Sequence, residues 1–229
     1  MYEWKTMNMN EIRDLDRMLP VIFPIGLIES HGPHLPVDVD CQTSAHFARK
    51  VCESTGAVLM PTIQYGFIGE MREYPGTVGL RSMTLAYVVR DLIDCLARQG
   101  FKKIIFLSGH LVNVRGVELG IEMSQENYPD LKAVYWNYWD FIQAPIRHAD
   151  KVETEFALLC GVRADMDKAK DFVYEKPWYQ VYSRYPFNPE SGGVSGASSK
   201  ADINDRREDY ENAVRTLCEM VKKAIADQS

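Results

Sequence analysis

Short apolar runs alternate along this chain with stretches whose apolar residues recur every three or four positions, and this pattern does most to limit the folds open to it. Val21-Ile22-Phe23-Pro24-Ile25, Ala57-Val58-Leu59-Met60, Lys103-Ile104-Ile105-Phe106-Leu107 and Ala133-Val134-Tyr135-Trp136 read as buried strands. Between them, Leu85, Val88, Val89, Leu92, Ile93 and Leu96 fall on one face of a predicted helix from Thr84 to Arg98, and Gly100 stands where such helices close. Further helices are expected after Gln42, after Asn113, from near Lys151, and from about Asp205 to Ala226. The last carries Tyr210, Ala213, Val214, Leu217, Met220, Val221 and Ile225 as its stripe. Strands alternating with one-faced helices favour an α/β fold, a mainly parallel sheet covered on both faces. Neither repeat nor linker divides the 229 residues, so a single domain over 1–229 is predicted, with the Pro-, Gly- and Ser-rich stretch 185–201 as a long loop.

Composition removes several classes of function. A net charge of −6 argues against nucleic acid, whose phosphates call for a basic face. No apolar run approaches the roughly 18 residues of a membrane span. Met1-Tyr2-Glu3-Trp4-Lys5 lacks the basic-then-apolar layout of a signal peptide. The five cysteines, Cys41, Cys52, Cys95, Cys160 and Cys218, are dispersed without CxxC spacing and read as reduced, buried core thiols. A cytoplasmic protein without membrane or nucleic-acid partners is expected.

The chain has only five histidines, and four of them lie beside carboxylates, Gly or Pro at predicted strand ends or in loops. In open α/β sheets ligands bind at the carboxyl ends of the strands. Directly after the first buried strand comes Gly26-Leu27-Ile28-Glu29-Ser30-His31-Gly32-Pro33-His34-Leu35-Pro36-Val37-Asp38-Val39-Asp40. In extended chain Glu29 and His31 project from the same side, a half-site for Zn²⁺ or Mn²⁺. Asp38 and Asp40 precede a helix that either could cap, and spacing does not choose which of them would instead bridge cations. His110 follows an apolar strand and Gly109, a residue that allows a sharp turn. In His148-Ala149-Asp150-Lys151-Val152-Glu153, the histidine and Glu153 straddle a helix start, where Glu153 favours the positive helix end and a neutral His148 suits acid–base chemistry.

In this order the segments resemble the creatininase (creatinine amidohydrolase) family, from Pro20 to about Ala201. The anchors are Glu29-Ser30-His31-Gly32-Pro33-His34-Leu35-Pro36 with Asp40, Pro75-Gly76-Thr77, Ser108-Gly109-His110 with Asn113, His148-Ala149 with Glu153-Thr154, and Gly193-Val194-Ser195-Gly196. The resemblance implies a three-layer α/β/α domain, often hexameric, with two divalent metals, Zn²⁺ or Mn²⁺. By position, Glu29, Asp40 and His110 would hold one metal, and His31 and Asp40 the other, with Asp40 bridging. His148 would handle the proton and Glu153 would support the metal–water site.

Two departures from the family pattern stand out. Val112 occupies the place of a glutamate ligand, so the second metal is expected to bind more weakly or to be completed by water and Glu153. Ala144 occupies the place of a substrate-packing tryptophan, leaving Trp136 and Trp139, with Tyr138, to line the pocket; His34 joins them as a substrate-binding candidate. The function expected is metal-dependent hydrolysis, with metal-activated water attacking the carbonyl of a small, cyclic amide. One rival is ring-opening C–C hydrolysis of a cyclic ketone such as a dehydro-inosose, whose hydroxyls would call on Asn113, Arg115, Asn137 and Tyr138. The other is a non-catalytic metal-stabilised binding protein, which Val112 alone favours.

Overall fold

A computed structural model describes residues 1–69, 71–173 and 188–227. Five strands form one parallel sheet: β1 (Tyr2–Glu3), β2 (Val21–Ile25), β3 (Val58–Leu59), β4 (Lys103–Ser108) and β5 (Lys132–Asn137), in the order β1–β3–β2–β4–β5. The helices are α1 (Met9–Arg13), α2 (Val39–Thr55), α3 (Ser82–Arg98), α4 (Val114–Gln125), α5 (Lys151–Leu159) and α6 (Arg207–Ala226). A small antiparallel pair, β6 (Asp171–Phe172) and β7 (Gly196–Ala197), stands apart from the sheet.

Side chains on a strand alternate between faces, and here both faces are apolar. Ile22, Ile105 and Leu107 pack against Phe47 and Val51 of α2, Phe156 of α5 and Leu217 of α6. Val21, Phe23, Ile25, Ile104 and Phe106 meet Leu85, Val89 and Ile93 of α3 and Val117 and Ile121 of α4 on the opposite side. Phe23 and Phe106 are register partners, and their rings stack at 5.1 Å. The result is three layers, α2/α5/α6, sheet, and α3/α4. At the end of α3, Gly100 takes a left-handed φ of 91°, and the Phe101 and Gly100 amides close on Leu96 and Ala97.

The chain reverses direction in the sheet at β2. From β2 it passes through α2 to β3 on one side, then through α3 to β4 on the other, so the carboxyl ends of β2 and β4 part into a crevice. Two glycines let α2 press onto that crevice. A Cβ on Gly26 would overlap the Cys41 backbone, and one on Gly109 would overlap the Asp40 carbonyl. Gly109 thus serves a close approach, and the chain bends there as expected, at Gly109–His110, without a positive φ.

Other differences are local. β1 is too short to show a period, and α1 is set by a capping box between Asn8 and Glu11 instead of by an apolar stripe. α2 begins at Val39, ahead of the expected start at Gln42, which puts Asp40 inside its first turn. Of the loop expected over 185–201, residues 185–187 lie outside the described residues, and the remainder carries β7. All five cysteines are free; Cys41, Cys52 and Cys218 are buried, whereas Cys95 is exposed on α3, correcting its assignment to the core. Among the described residues no helix is long and apolar enough to cross a membrane.

The close approach at Gly26 is testable. Gly26→Ala should cost about 1–3 kcal/mol by overpacking, with each kcal/mol lowering Tm by about 2–4 °C in a chain of this size. Calorimetry of the metal-free protein showing an unchanged Tm would contradict the packing described.

Candidate metal centre and active site

Glu29 follows β2, His110 follows β4, and Asp40 lies in the first turn of α2, where the helix dipole favours a carboxylate. His31 comes from the loop after Glu29, and Glu153 from the first turn of α5. Their ligand atoms form two triads, Glu29–Asp40–His110 and His31–Asp40–Glu153, each with atoms within 4.8 Å of one another, and Asp40 belongs to both; a third such group, Glu29–His31–His148, takes in His148. His110 Nδ1 lies 3.2 Å from Glu29 Oε2 and 3.1 Å from Asp40 Oδ2, while His31 Nε2 lies 3.3 Å from Asp40 Oδ1 and 3.6 Å from Glu153 Oε2. His148 stands beside them, its ring 4.4 Å from that of His31 and its Nδ1 3.8 Å from Glu29 Oε2.

All three imidazoles are oriented in the same manner. His31 Nδ1 faces the Glu29 carbonyl at 3.0 Å, His110 Nε2 the Phe67 carbonyl at 3.1 Å, and His148 Nε2 the Ser30 carbonyl at 2.7 Å. A carbonyl only accepts, so each of these nitrogens donates. In a neutral ring the other nitrogen then turns its lone pair toward the carboxylates. Asn113 is buried and fixes this frame: its Oδ1 accepts from the Phe67 amide and its Nδ2 donates to the Gly26 carbonyl and to Ser108 Oγ. Thr77 accepts from the Ser30 amide and so steadies the loop that carries His31.

The residues fit divalent cations. Glu29 Oε2, His31 Nε2 and Asp40 Oδ2 are buried without a hydrogen-bond partner, an arrangement that is costly unless a cation satisfies them. Without metal, protons substitute. Burial pulls the His110 pKa down, but Glu29 and Asp40 outweigh it and push the value up to about 10; His31 is raised well above its ordinary value against burial by Asp40 and Glu153. Burial opposes ionisation of Glu29 and Asp40, yet the facing imidazoles hold both carboxyls below their usual range. Metal must therefore displace a proton from His110, and the raised His31 works in the same direction.

Of Asp38 and Asp40, the structure brings in Asp40; Asp38 is half-buried and accepts from Gln42 Nε2. Val112 lines the adjoining cavity, and Glu153 occupies the second triad, where the resemblance implied a missing ligand. Ala149 helps to set this geometry: with φ at 49° it is the only non-glycine residue of positive φ among the described residues, and its amide donates to Glu153 Oε2. Asp150 caps α5 through the Glu153 amide, and the Ser195 amide donates to the His148 carbonyl.

A cavity of about 330 Å³ opens onto Glu29, His110, His148 and Glu153, walled by Phe67, Met71, Leu111, Val112, Trp139 and Ile146, with Arg115 and Arg147 also lining it. Trp139 is in the wall and donates Nε1 to the Gly109 carbonyl. Trp136 lies elsewhere, packed on the α2/α5/α6 core, and His34 bonds Thr154 Oγ1 at 2.9 Å outside the cavity, kept neutral by burial that lowers its pKa to about 4. Asn113, Asn137 and Tyr138 are buried and absent from the lining. Phe67, Met71 and Ile146 were not legible as wall residues, because they come from loops and a single 3-10 turn, too short to show a period.

A parallel α/β/α sandwich with buried carboxylate–imidazole triads at the reversal of its sheet defines a metal-dependent hydrolase. Residues 5–221 match the family model for creatininase, creatinine amidohydrolase. The chain is 28% identical over 233 residues to the creatinine amidohydrolase of Pseudomonas putida, covering 90% of this chain and 87% of that protein. It is also 28% identical over 202 residues to the mycofactocin precursor peptide peptidase of Mycolicibacterium smegmatis, covering 84% and 77%. A manganese creatininase superposes with a TM-score of 0.79 at 26% identity, covering 97% of this chain and 96% of that one. This chain belongs to the creatininase family.

Two outcomes follow from the shared aspartate. Asp40→Asn should abolish binding at both sites, whereas Glu153→Gln should leave the Glu29–Asp40–His110 site loaded; metal analysis after dialysis checks this, and two retained equivalents in Asp40→Asn would refute sharing. Calorimetric metal titration at pH 7 in buffers of differing ionisation enthalpy should show net proton release. Uptake should weaken as pH falls, because the raised imidazole pKa values favour the protonated, metal-free state. Binding without proton release would contradict the assignment.

Proposed function

We propose that this protein hydrolyses the C–N bond of a small cyclic amide, with Glu29, Asp40, His110, His31 and Glu153 holding two divalent cations, Zn²⁺ or Mn²⁺, and His148 moving the proton. The position of His148 carries this reading: it lines the cavity beside both triads, and its Nε2–H is committed to the Ser30 carbonyl. Divalent cations held there supply Lewis acidity that activates water and polarises a carbonyl near neutral pH.

His148 Nδ1 points toward Glu29 and is placed to take a proton from attacking water and pass it to the departing nitrogen. The left-handed Ala149 and the Ser195 amide hold that ring's backbone in place, so the proton path needs little reorganisation. Trp139 offers a flat wall to a planar ring, in place of the tryptophan absent at Ala144. The apolar wall keeps water away from the reacting carbonyl and strengthens the electrostatics inside. With Asn113, Asn137 and Tyr138 in the interior, a polyol would find only Arg115 of the four groups expected to bind it, so C–N cleavage is preferred to ring opening of an inosose.

The same reading includes a homo-oligomer. Val37 and Val78 pair with the backbone of Ile28–Glu29, and both leave apolar side chains exposed. Light scattering should give a mass near six times the 26.2 kDa chain. Five free thiols support a reducing, cytoplasmic setting.

The role of His148 separates from metal binding. His148→Asn should retain metal and slow turnover on a cyclic amide about 10²–10⁴-fold. Turnover near the wild-type rate with metal bound would remove His148 from the mechanism.

A further inference from the structure

The cavity beside the metal centre carries groups of both charges. Its lining joins Glu29, His110, His148 and Glu153 to apolar walls and to Arg115 and Arg147, both of them exposed at its rim. Arg115 lies on α4, which follows His110, and Arg147 immediately precedes His148.

Neither guanidinium has a carboxylate partner among the described residues. Several other arginines of this chain are engaged, Arg49 with Glu3, Arg206 with Glu155 and Asp209, Arg90 with Asp91, and Arg17 with four backbone carbonyls; of those without such a partner, Arg115 and Arg147 are the two that line this cavity. Arg115 has instead the Phe67 ring, 5.9 Å from its Cζ, another member of the cavity wall. Its position is also electrostatically unfavourable. It sits in the first turn of α4, where the helix dipole is positive and no acidic residue answers it, and Asn113 spends its side chain on Phe67 and Gly26 instead of on capping. Asp140 also touches the cavity, but its carboxylate accepts from the Asn137 amide.

A planar guanidinium recognises a carboxylate or phosphate in two-pronged fashion, and does so best beside low-dielectric walls. We propose that Arg115 and Arg147 form the anion-recognition end of the substrate pocket, so that the substrate is a small amide bearing a carboxylate or phosphate group, with its amide carbonyl at the metal end. This rests on the hydrolase reading above and narrows its substrate class. A neutral ring such as creatinine would leave both guanidinium groups to water.

The test uses binding to the metal-loaded protein, which needs no turnover. Two matched pairs serve as probes in calorimetry: pyroglutamate with pyroglutamamide for the carboxylate, and phenyl phosphate with phenol for the phosphate. Wild-type protein should bind the anionic member of at least one pair tenfold or more tightly, and the pair that shows it identifies the anion. Arg115→Ala/Arg147→Ala should bring that ratio close to one with metal content unchanged. Anion binding that survives the double substitution would locate the anion at the metals and overturn the proposal. So would equal or undetectable binding of both members in both pairs. Turnover of uncharged cyclic amides by wild-type protein is measured alongside: its presence without any anion preference would sink this proposal alone, and anion preference without turnover of any amide would instead sink the hydrolase reading.

Discussion

The sharing of Asp40 between two sets of imidazoles and carboxylates is the contact on which the rest of this structure depends. Asp40 is buried, and it meets His110 on one side and His31 on the other. Such a carboxylate would be expensive to desolvate alone, and its neighbours Glu29 and Glu153 add like charge. Positive charge must be supplied between them, by protons on the imidazoles or by cations. Each imidazole is turned by a backbone carbonyl so that its second nitrogen faces this region, which favours cations.

The fold delivers that arrangement through its topology. The sheet reverses direction at β2, so the loops after β2 and β4 diverge and leave room for the amino end of α2 between them. Gly26 and Gly109 remove the Cβ atoms that would hold α2 away. Asn113 then ties the segment bearing Phe67 to the ends of β2 and β4, so that the carbonyl orienting His110 is itself fixed. The same reversal places α4 beside the cavity, whose lining includes Arg115.

Much of this was legible in the sequence. The buried strands and the stripes of α3 and α6 are periodic enough to be read directly, and the resemblance carried Glu29, His31, Asp40, His110, His148 and Glu153 to positions that the structure brings together. Other features were hidden for physical reasons. The start of α2 lies within a run of Pro and Asp residues with no apolar period, so the inclusion of Asp40 in its first turn could not be read. The packing of Trp136 and His34 away from the cavity depends on which face of β5 and which side of the loop each occupies, and an aromatic or imidazole carries no label for that. Val112 pointed to a missing ligand and the resemblance offered water and Glu153 in its place; the three-dimensional arrangement groups Glu153 with His31 and Asp40.

Electron paramagnetic resonance of the manganese-loaded protein tests the shared centre most directly. Two Mn²⁺ ions joined through Asp40 are predicted to be exchange-coupled and to give a multiline signal of the pair at full loading. A simple six-line spectrum of isolated Mn²⁺ at full loading would contradict the account.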